Sequence, residues 1–369
     1  MAPSPGRTGE TPIFAVIQAG GVGTRLWPRS RRRRPKQLLD IVNPRTMLQN
    51  TVDRVQPLIP AGRLFVVTGA EYASQVREQL PGLPPGNILV EPAGRNTAPS
   101  VGLGAVALSH LAPQGIMISL HADHVIAHAA RFRELLQVAA TVAADGRLVT
   151  LGIQPGYPET GYGYIERGRL VRRIHGVPVF AVNRFIEKPP AQQAAEFVRD
   201  RHHYWNSGTF VWRVDTILAS IERWLPELYR QLSAISEAWD TPEREAVLAR
   251  IWSDVRSVSI DVGVMERAGD IVAVPADIGW SDVGSWASLA DILAADDRGN
   301  VVLAESEHLD LDTQDSLIYA PGRVVATIGL RDMIVVDAGD VLLICPKSRA
   351  QDVRQFVEQL RRSGRHDLL

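Results

Sequence analysis

The sequence predicts an α/β protein: a large domain on a mixed, mostly parallel sheet, then a small β domain closed by one helix. Three observations carry this. A short apolar strand, Ile13-Phe14-Ala15-Val16-Ile17, runs directly toward Gly20-Gly21. Strand-like runs then alternate with helix-length segments, the pattern of βαβ units. After Asp296-Asp297-Arg298-Gly299-Asn300 the helical segments give way to short β-rich pieces.

The elements follow in order. Leu64 to Thr68, Asn87 to Val90, Ile116 to Leu120 and Leu148 to Ile153 are short apolar runs that read as buried strands. Met47 to Gln56, Ala73 to Leu80, Pro99 to Leu111 and Phe132 to Ala144 are the helices between them. From about Gly161 the alternation loosens. Strands at Tyr162 to Glu166, Val179 to Glu187 and Thr209 to Val214 surround helices at Ala191 to Arg201 and Val214 to Trp224. Trp239 to Arg250 is charged and helical. Residues 301–346 are β-rich, ending in Met333 to Val336 and Val341 to Cys345, and Arg349 to Arg361 has helical periodicity. The expected boundaries are a disordered leader at 1–11, the α/β domain at 12–295 and the β domain with its helix at 296–369.

Composition excludes several classes. Of 369 residues, 45% are hydrophobic and 22% charged, the mixture of a globular protein rather than a disordered or fibrous one. The net charge of −1 argues against nucleic acid as a partner. No apolar run approaches the length of a membrane helix, and the polar N-terminus lacks the apolar segment of a signal peptide. Cys345 is the single cysteine, so neither a disulfide framework nor a cysteine-built zinc site is available. The expected setting is the cytoplasm.

The chemistry begins at Gly20-Gly21-Val22-Gly23-Thr24-Arg25-Leu26. Glycines allow a backbone to approach phosphate and present N–H groups to it. The spacing is neither G-x-G-x-x-G nor a Walker A loop. Seven of the twelve residues from Arg25 to Lys36 are basic. Four consecutive arginines cannot all face one ligand, so most of the run is expected in solvent. Arg25 and Lys36 stand apart, each in a constrained frame beside the glycine turn, where a cation can neutralise a triphosphate.

The stretch Gly20 to Ser30, with Pro35-Lys36-Gln37, resembles the signature of the sugar-1-phosphate nucleotidyltransferases. Trp27-Pro28 and Pro35-Lys36-Gln37 resemble the mannose-1-phosphate guanylyltransferase branch of that family. Further segments match in order: Glu91 to Pro99, Ala122-Asp123-His124-Val125-Ile126, Pro158 to Ile165, Phe185-Ile186-Glu187-Lys188-Pro189, Trp205-Asn206-Ser207-Gly208, Ser259-Ile260-Asp261 and Gly279 to Trp286. The resemblance runs through Val325 to Leu330 and Val353 to Leu360.

What the resemblance implies is a Rossmann-like domain that joins GTP and α-D-mannose 1-phosphate into GDP-mannose, releasing pyrophosphate. Gly20, Gly21, Gly23 and Thr24 would hold the nucleotide phosphates. Arg25 would neutralise the leaving pyrophosphate, and Lys36 would steady charge at the α-phosphoryl. Asp123 and Asp282 would hold one Mg²⁺ between the phosphates, an ion that favours few carboxylates plus phosphate and water. Without ligand those two carboxylates would repel each other. Glu91, Asn96 and Thr97 fall to the nucleotide; a carboxylate at Glu91 accepts both donors on the guanine edge, whereas Glu91 otherwise reads as a cap for the helix starting near Thr97. Gly163, Glu187, Lys188, Asn206 and Asp261 fall to the sugar phosphate. Trp212, Trp280 and Trp286 read as core. The family has proline where His121 stands; His121, Asp123, His124 and His128 form a His-rich patch without the spacing of a metalloprotease helix. The resemblance also implies a homodimer through the small β domain, in some members a short left-handed β-helix. Bifunctional members add an isomerase domain, and this chain has the length expected of the single-activity type. Two alternatives remain at this point: a transferase for another base or hexose, and a non-catalytic paralogue that binds GDP-mannose.

Overall fold

A computed structural model describes residues 11–21, 23–303 and 307–369. The expected leader, Thr11 excepted, and Val22 of the glycine turn lie outside the described residues. In chain order the strands are β1 (Ile13–Ala19), β2 (Leu64–Gly69), β3 (Ile88–Glu91), β4 (Ile116–His121), β5 (Val125–Ile126), β6 (Leu148–Ile153), β7 (Tyr164–Ile174), β8 (Val177–Ile186) and β9 (His203–Arg213). They continue with β10 (Ile271–Pro275), β11 (Trp280–Ser281), β12 (Val301–Leu303), β13 (His308–Leu311), β14 (Leu317–Tyr319), β15 (Val325–Ile328), β16 (Met333–Asp337) and β17 (Leu342–Pro346). The α-helices are α1 (Met47–Val55), α2 (Ala73–Gln79), α3 (Thr97–Ser109), α4 (Ala129–Ala143), α5 (Ala191–Asp200), α6 (Val214–Trp224), α7 (Pro226–Glu237), α8 (Arg244–Trp252), α9 (Trp286–Ala290) and α10 (Val353–Arg362).

The chain packs as two compact units, and these do not follow a single cut along the sequence. One unit runs through Gly20 and then takes Val52–His121 and Ala127–Ile278. The other takes Gly21–Thr51, Ala122–Ile126 and Gly279–Leu369. The Asp296–Asn300 boundary expected from composition therefore lies inside the second unit.

The first unit is built on a nine-stranded sheet in the order β3-β2-β1-β4-β9-β6-β10-β8-β7. Strands β3, β2, β1 and β4 are mutually parallel, and β9 and β8 run against the other seven strands. The sheet is thus mixed, and its parallel β3-β2-β1-β4 part is what the βαβ alternation predicts. Helix α3 is buried from Ala98 to Leu108, consistent with a sequence that is apolar all round. The β7–β8 hairpin outruns the sequence expectation because His175 and Gly176 both take positive φ, the turn geometry that suits twisted strands. Helix α8 begins five residues after the expected Trp239, since Thr241-Pro242 is occupied by a turn. Two elements of this first unit fall outside the sequence expectations. Helix α7 restarts behind Pro226, a residue suited to a first helical turn. Strand β10 is a short apolar run parallel to β6.

The second unit stacks short strands. Val301 lies beside Leu317 and Leu317 beside Ile334, all parallel, while Leu309 lies beside Ala326 on a second face. This is a short β-helix-like stack, ended by antiparallel β17 and closed by α10. Its core joins Leu26, Trp27, Leu39 and Met47 to Trp286, Tyr319, Ile334 and Val353. Among the described residues no helix is long and apolar enough to cross a membrane.

Trp212 and Trp286 are fully buried, as expected of core residues. Trp212 stacks on Phe210 with ring centroids 5.4 Å apart. Trp212→Ala is expected to lower unfolding free energy by about 3–5 kcal/mol, the usual cost of emptying an aromatic core site, as measured by urea titration.

Candidate active site

The glycine turn leaves β1 at Gly20 and enters a tight 3-10 turn at Thr24–Leu26. Gly21 and Gly23 have φ of 89° and 69°, which glycine adopts without steric cost. Gly23 also has no room for a side chain, because a Cβ there would run into the stem of Lys36. Lys36 is only 6% exposed. Its Nζ donates to Asp123 Oδ2 at 2.8 Å and to the main-chain oxygen of Asp282. Asp123 and Asp282 flank the β5–β11 pair, in which Ser281 lies opposite Val125. The repulsion expected between the two carboxylates is offset at Asp123 by this ammonium. Asp282 Oδ1 accepts the Gly284 N–H at 2.8 Å, the turn chemistry of a short acidic side chain.

The basic run divides by partner. Arg29 and Arg34 each donate to Asp40 at 3.0 Å. Arg31 forks onto both oxygens of Asp340, one contact at 2.7 Å. Arg32 and Arg33 are exposed at the tip of the Arg31–Arg34 turn, in solvent as expected. Arg25 is half-buried and donates to the Gln351 amide oxygen at 3.4 Å; among the described residues no carboxylate pairs with it.

The remaining candidates lie in the first unit. Glu91 ends β3, is 4% exposed and accepts the Ser100 hydroxyl. Burial pushes its carboxyl from 4.5 up to about 7, against the Ser100 bond that favours the ionised form. The α3 cap is not Glu91 but Asn96, whose side-chain oxygen accepts the Thr97 N–H at 2.8 Å. Thr97 Oγ1 accepts the Ile260 N–H at 2.8 Å, beside Asp261.

The sugar-phosphate candidates form one cluster. Asn206 Nδ2 donates to Asp261 Oδ1 at 2.9 Å, and the Asn206 N–H donates to the Gly163 oxygen at 2.8 Å. A Cβ at Gly163 would collide with the Glu187 carboxylate. Lys188 Nζ donates to Glu187 Oε1, and the Glu187 N–H donates to Glu266 Oε1 at 3.0 Å. Burial pushes the Glu187 carboxyl up against the pull of Lys188. Burial likewise raises Asp261, opposed by nearby His121. The cluster offers paired donors and acceptors of the kind hydroxyl groups require. Tyr157 and Tyr162 meet Trp205 edge-on, with centroids 4.9 and 5.3 Å away. Trp280, expected in the core, is only partly buried and donates to His124 Nδ1 at 3.2 Å.

Among the described residues, three of the eight non-glycine residues with positive φ lie beside these groups. Asn96 has φ 69° and ψ −172°, Lys188 has φ 49°, and the β-branched Val283 has φ 47° next to Asp282. Such conformations cost on the order of 1–3 kcal/mol and cluster at functional sites.

The comparisons with known proteins agree on one family. The nucleotidyl transferase family matches residues 14–299. The chain belongs to the nucleotidyl transferase family. A second match, described as a mannose-phosphate isomerase/GMP-like β-helix domain, covers residues 306–360. This nucleotidyl transferase is 38% identical over 366 residues to a mannose-1-phosphate guanylyltransferase of Escherichia coli K12, covering 97% of the chain and 75% of the relative. It is also 38% identical to the xanthan biosynthesis protein XanB of Xanthomonas campestris, covering 96% and 74%. A Thermus thermophilus crystal structure described as a mannose-1-phosphate geranyltransferase superposes with a TM-score of 0.85 at 34% identity, covering 95% of this chain and 99% of that one.

Sequence reasoning missed Ser100, Gln351 and Trp252, whose indole N–H donates to the Ala93 oxygen at 2.6 Å. Ser100 alone left a signal, four residues after the Asn96 cap on a helix's first turn. The raised Glu91 carboxyl makes folding favour its protonated form. That stabilisation is complete below the ordinary carboxyl range and is lost as pH rises through about 7. Glu91→Gln keeps an acceptor for Ser100 and has no charge to bury. It should be more stable than the parent by up to about 3 kcal/mol at pH 8 and equal to it near pH 4, read from denaturant melts at both pH values.

Proposed function

We propose that the chain transfers a guanylyl group from GTP to α-D-mannose 1-phosphate, releasing GDP-mannose and pyrophosphate, as a cytoplasmic homodimer. The observation that carries the reading is Lys36, a buried cation beside the glycine turn, held between Asp123 and the Asp282 carbonyl. The relatives named mannose-1-phosphate guanylyltransferase support the choice of substrates.

In this mechanism a phosphate oxygen of mannose 1-phosphate attacks the α-phosphorus in line, and the bond to the β-phosphate oxygen breaks. Positioning and charge neutralisation do most of the work in such transfers. Backbone amides of the glycine turn cradle the phosphates. Lys36, itself buried, holds a fixed positive charge at the α-phosphoryl. Arg25, unpaired with any carboxylate among the described residues, receives the departing pyrophosphate. Ionised Glu91 accepts the N1–H and amine of guanine, and the Glu187–Lys188–Asn206–Asp261 cluster orients the hexose and its phosphate. Asp123 and Asp282 would hold Mg²⁺; both are hard oxygen donors on residues that share contact with Lys36, a donor set that fits the ion. When bound it supplies positive charge to the phosphate oxygens. Homodimerisation through the second unit is supported by exposed apolar Leu309, Leu311 and Ile328 on the β13–β15 pair.

The deciding experiment is pyrophosphate release with a panel of nucleoside triphosphates against mannose 1-phosphate and glucose 1-phosphate. Release should be fastest with GTP and mannose 1-phosphate, and its absence with that pair overturns the reading. Asp123→Asn and Asp282→Asn should both abolish most turnover. They should differ in stability. Asp123→Asn removes the counter-charge of buried Lys36 and should cost about 1–3 kcal/mol, whereas Asp282→Asn leaves the carbonyl contact intact and should cost little, as read from melting temperatures.

A further inference from the structure

We propose that Gln351, just before the closing helix α10, is a positioning residue for Arg25. It aims the guanidinium at the leaving pyrophosphate without neutralising it. The inference rests on the reading of Arg25 as the pyrophosphate-binding cation.

Within the second unit the turn that carries Arg25 is anchored from the far end of the chain. The Trp27 indole N–H donates to the Leu368 oxygen at 2.8 Å, and its ring meets Phe356 of α10 with centroids 6.3 Å apart. The Trp286 indole N–H donates to the Trp27 oxygen at 3.0 Å. Arg31 forks onto Asp340, and the Arg29 guanidinium lies over the Tyr319 ring at 5.1 Å. These contacts fix the turn against the segment that carries Gln351. The anchoring arginines use carboxylates: Asp40 for Arg29 and Arg34, Asp340 for Arg31. Within this basic run, among the described residues, Arg25 instead meets a neutral amide oxygen, that of Gln351 at 3.4 Å. An amide accepts one N–H and leaves the charge whole. A carboxylate there would form the stronger charge-assisted pair and compete with phosphate for the same fork. The difference between glutamine and glutamate at 351 is thus the difference between aiming Arg25 and occupying it.

The test runs the reaction in reverse, where pyrophosphate is a substrate with its own KM. Gln351 is exposed, so its variants are not expected to compromise folding. Gln351→Glu should raise KM for pyrophosphate on the order of tenfold, leave KM for GDP-mannose within about twofold, and leave the melting temperature unchanged or higher. Gln351→Ala should raise the pyrophosphate KM only a few-fold. Arg25→Ala is the control: if it does not raise the pyrophosphate KM, the role of Arg25 itself fails. If Arg25→Ala raises it and Gln351→Glu does not, the positioning role of Gln351 is overturned. In the Arg25→Ala background Gln351→Glu should add nothing. An undiminished penalty there would mean that the new carboxylate repels pyrophosphate directly, which also overturns the proposal.

Discussion

The second unit depends on one buried cation. It is assembled from three separated stretches of chain, Gly21–Thr51, Ala122–Ile126 and Gly279–Leu369. Lys36 lies in the first, and its ammonium bonds to Asp123 in the second and to Asp282 in the third. A lysine shielded to this degree demands compensation, since an unpaired charge in a low-dielectric site is costly. Asp123 and the Asp282 main-chain oxygen together meet that demand. Gly23, pressed against the lysine stem, is the steric counterpart of that arrangement.

Around this centre charge is allocated rather than accumulated. In sequence the arginine run is a single patch, yet its members go to different tasks: anchoring on Asp40 and Asp340, exposure to solvent, and one cation left without a carboxylate. Glu91 follows the same logic from the acidic side. Burial raises its carboxyl to about 7, while the Ser100 bond favours the ionised form. The strained backbones at Asn96, Lys188 and Val283 indicate that surrounding packing, not local preference, sets these positions.

The strands that feed the glycine turn, and the helices between them, were legible because apolar runs and glycine punctuation are local signals. So were Arg25 and Lys36, through the Gly-Thr-Arg-Leu and Pro-Lys-Gln frames. Partners were not. The Asp282 atom that meets Lys36 is a main-chain oxygen, which no residue type announces. Asp340 lies 309 positions from Arg31, and nothing local marks it. Asn96 shows a different limit: the residue types that cap helices are also those that bind ligands, and the bond to the Thr97 N–H is visible only in the structure. The grouping of residues 21–51 with the C-terminal β stack was illegible for a related reason. Composition changes along the chain, whereas packing joins Leu26 and Trp27 to Trp286 and Val353.

The threading of the second unit has a consequence for synthesis. Trp27 emerges from the ribosome early, but its carbonyl-bearing partner Leu368 lies 341 residues later, and Lys36 waits 246 residues for Asp282. At a translation rate of about 5–20 residues per second, the signature turn spends tens of seconds without the surface it packs on. Contacts of such long sequence separation form late and slowly. Packing of the signature turn is thus deferred: a nascent chain already carrying the glycine turn and Glu91 lacks Gln351 and helix α10, which meet Arg25 and Trp27.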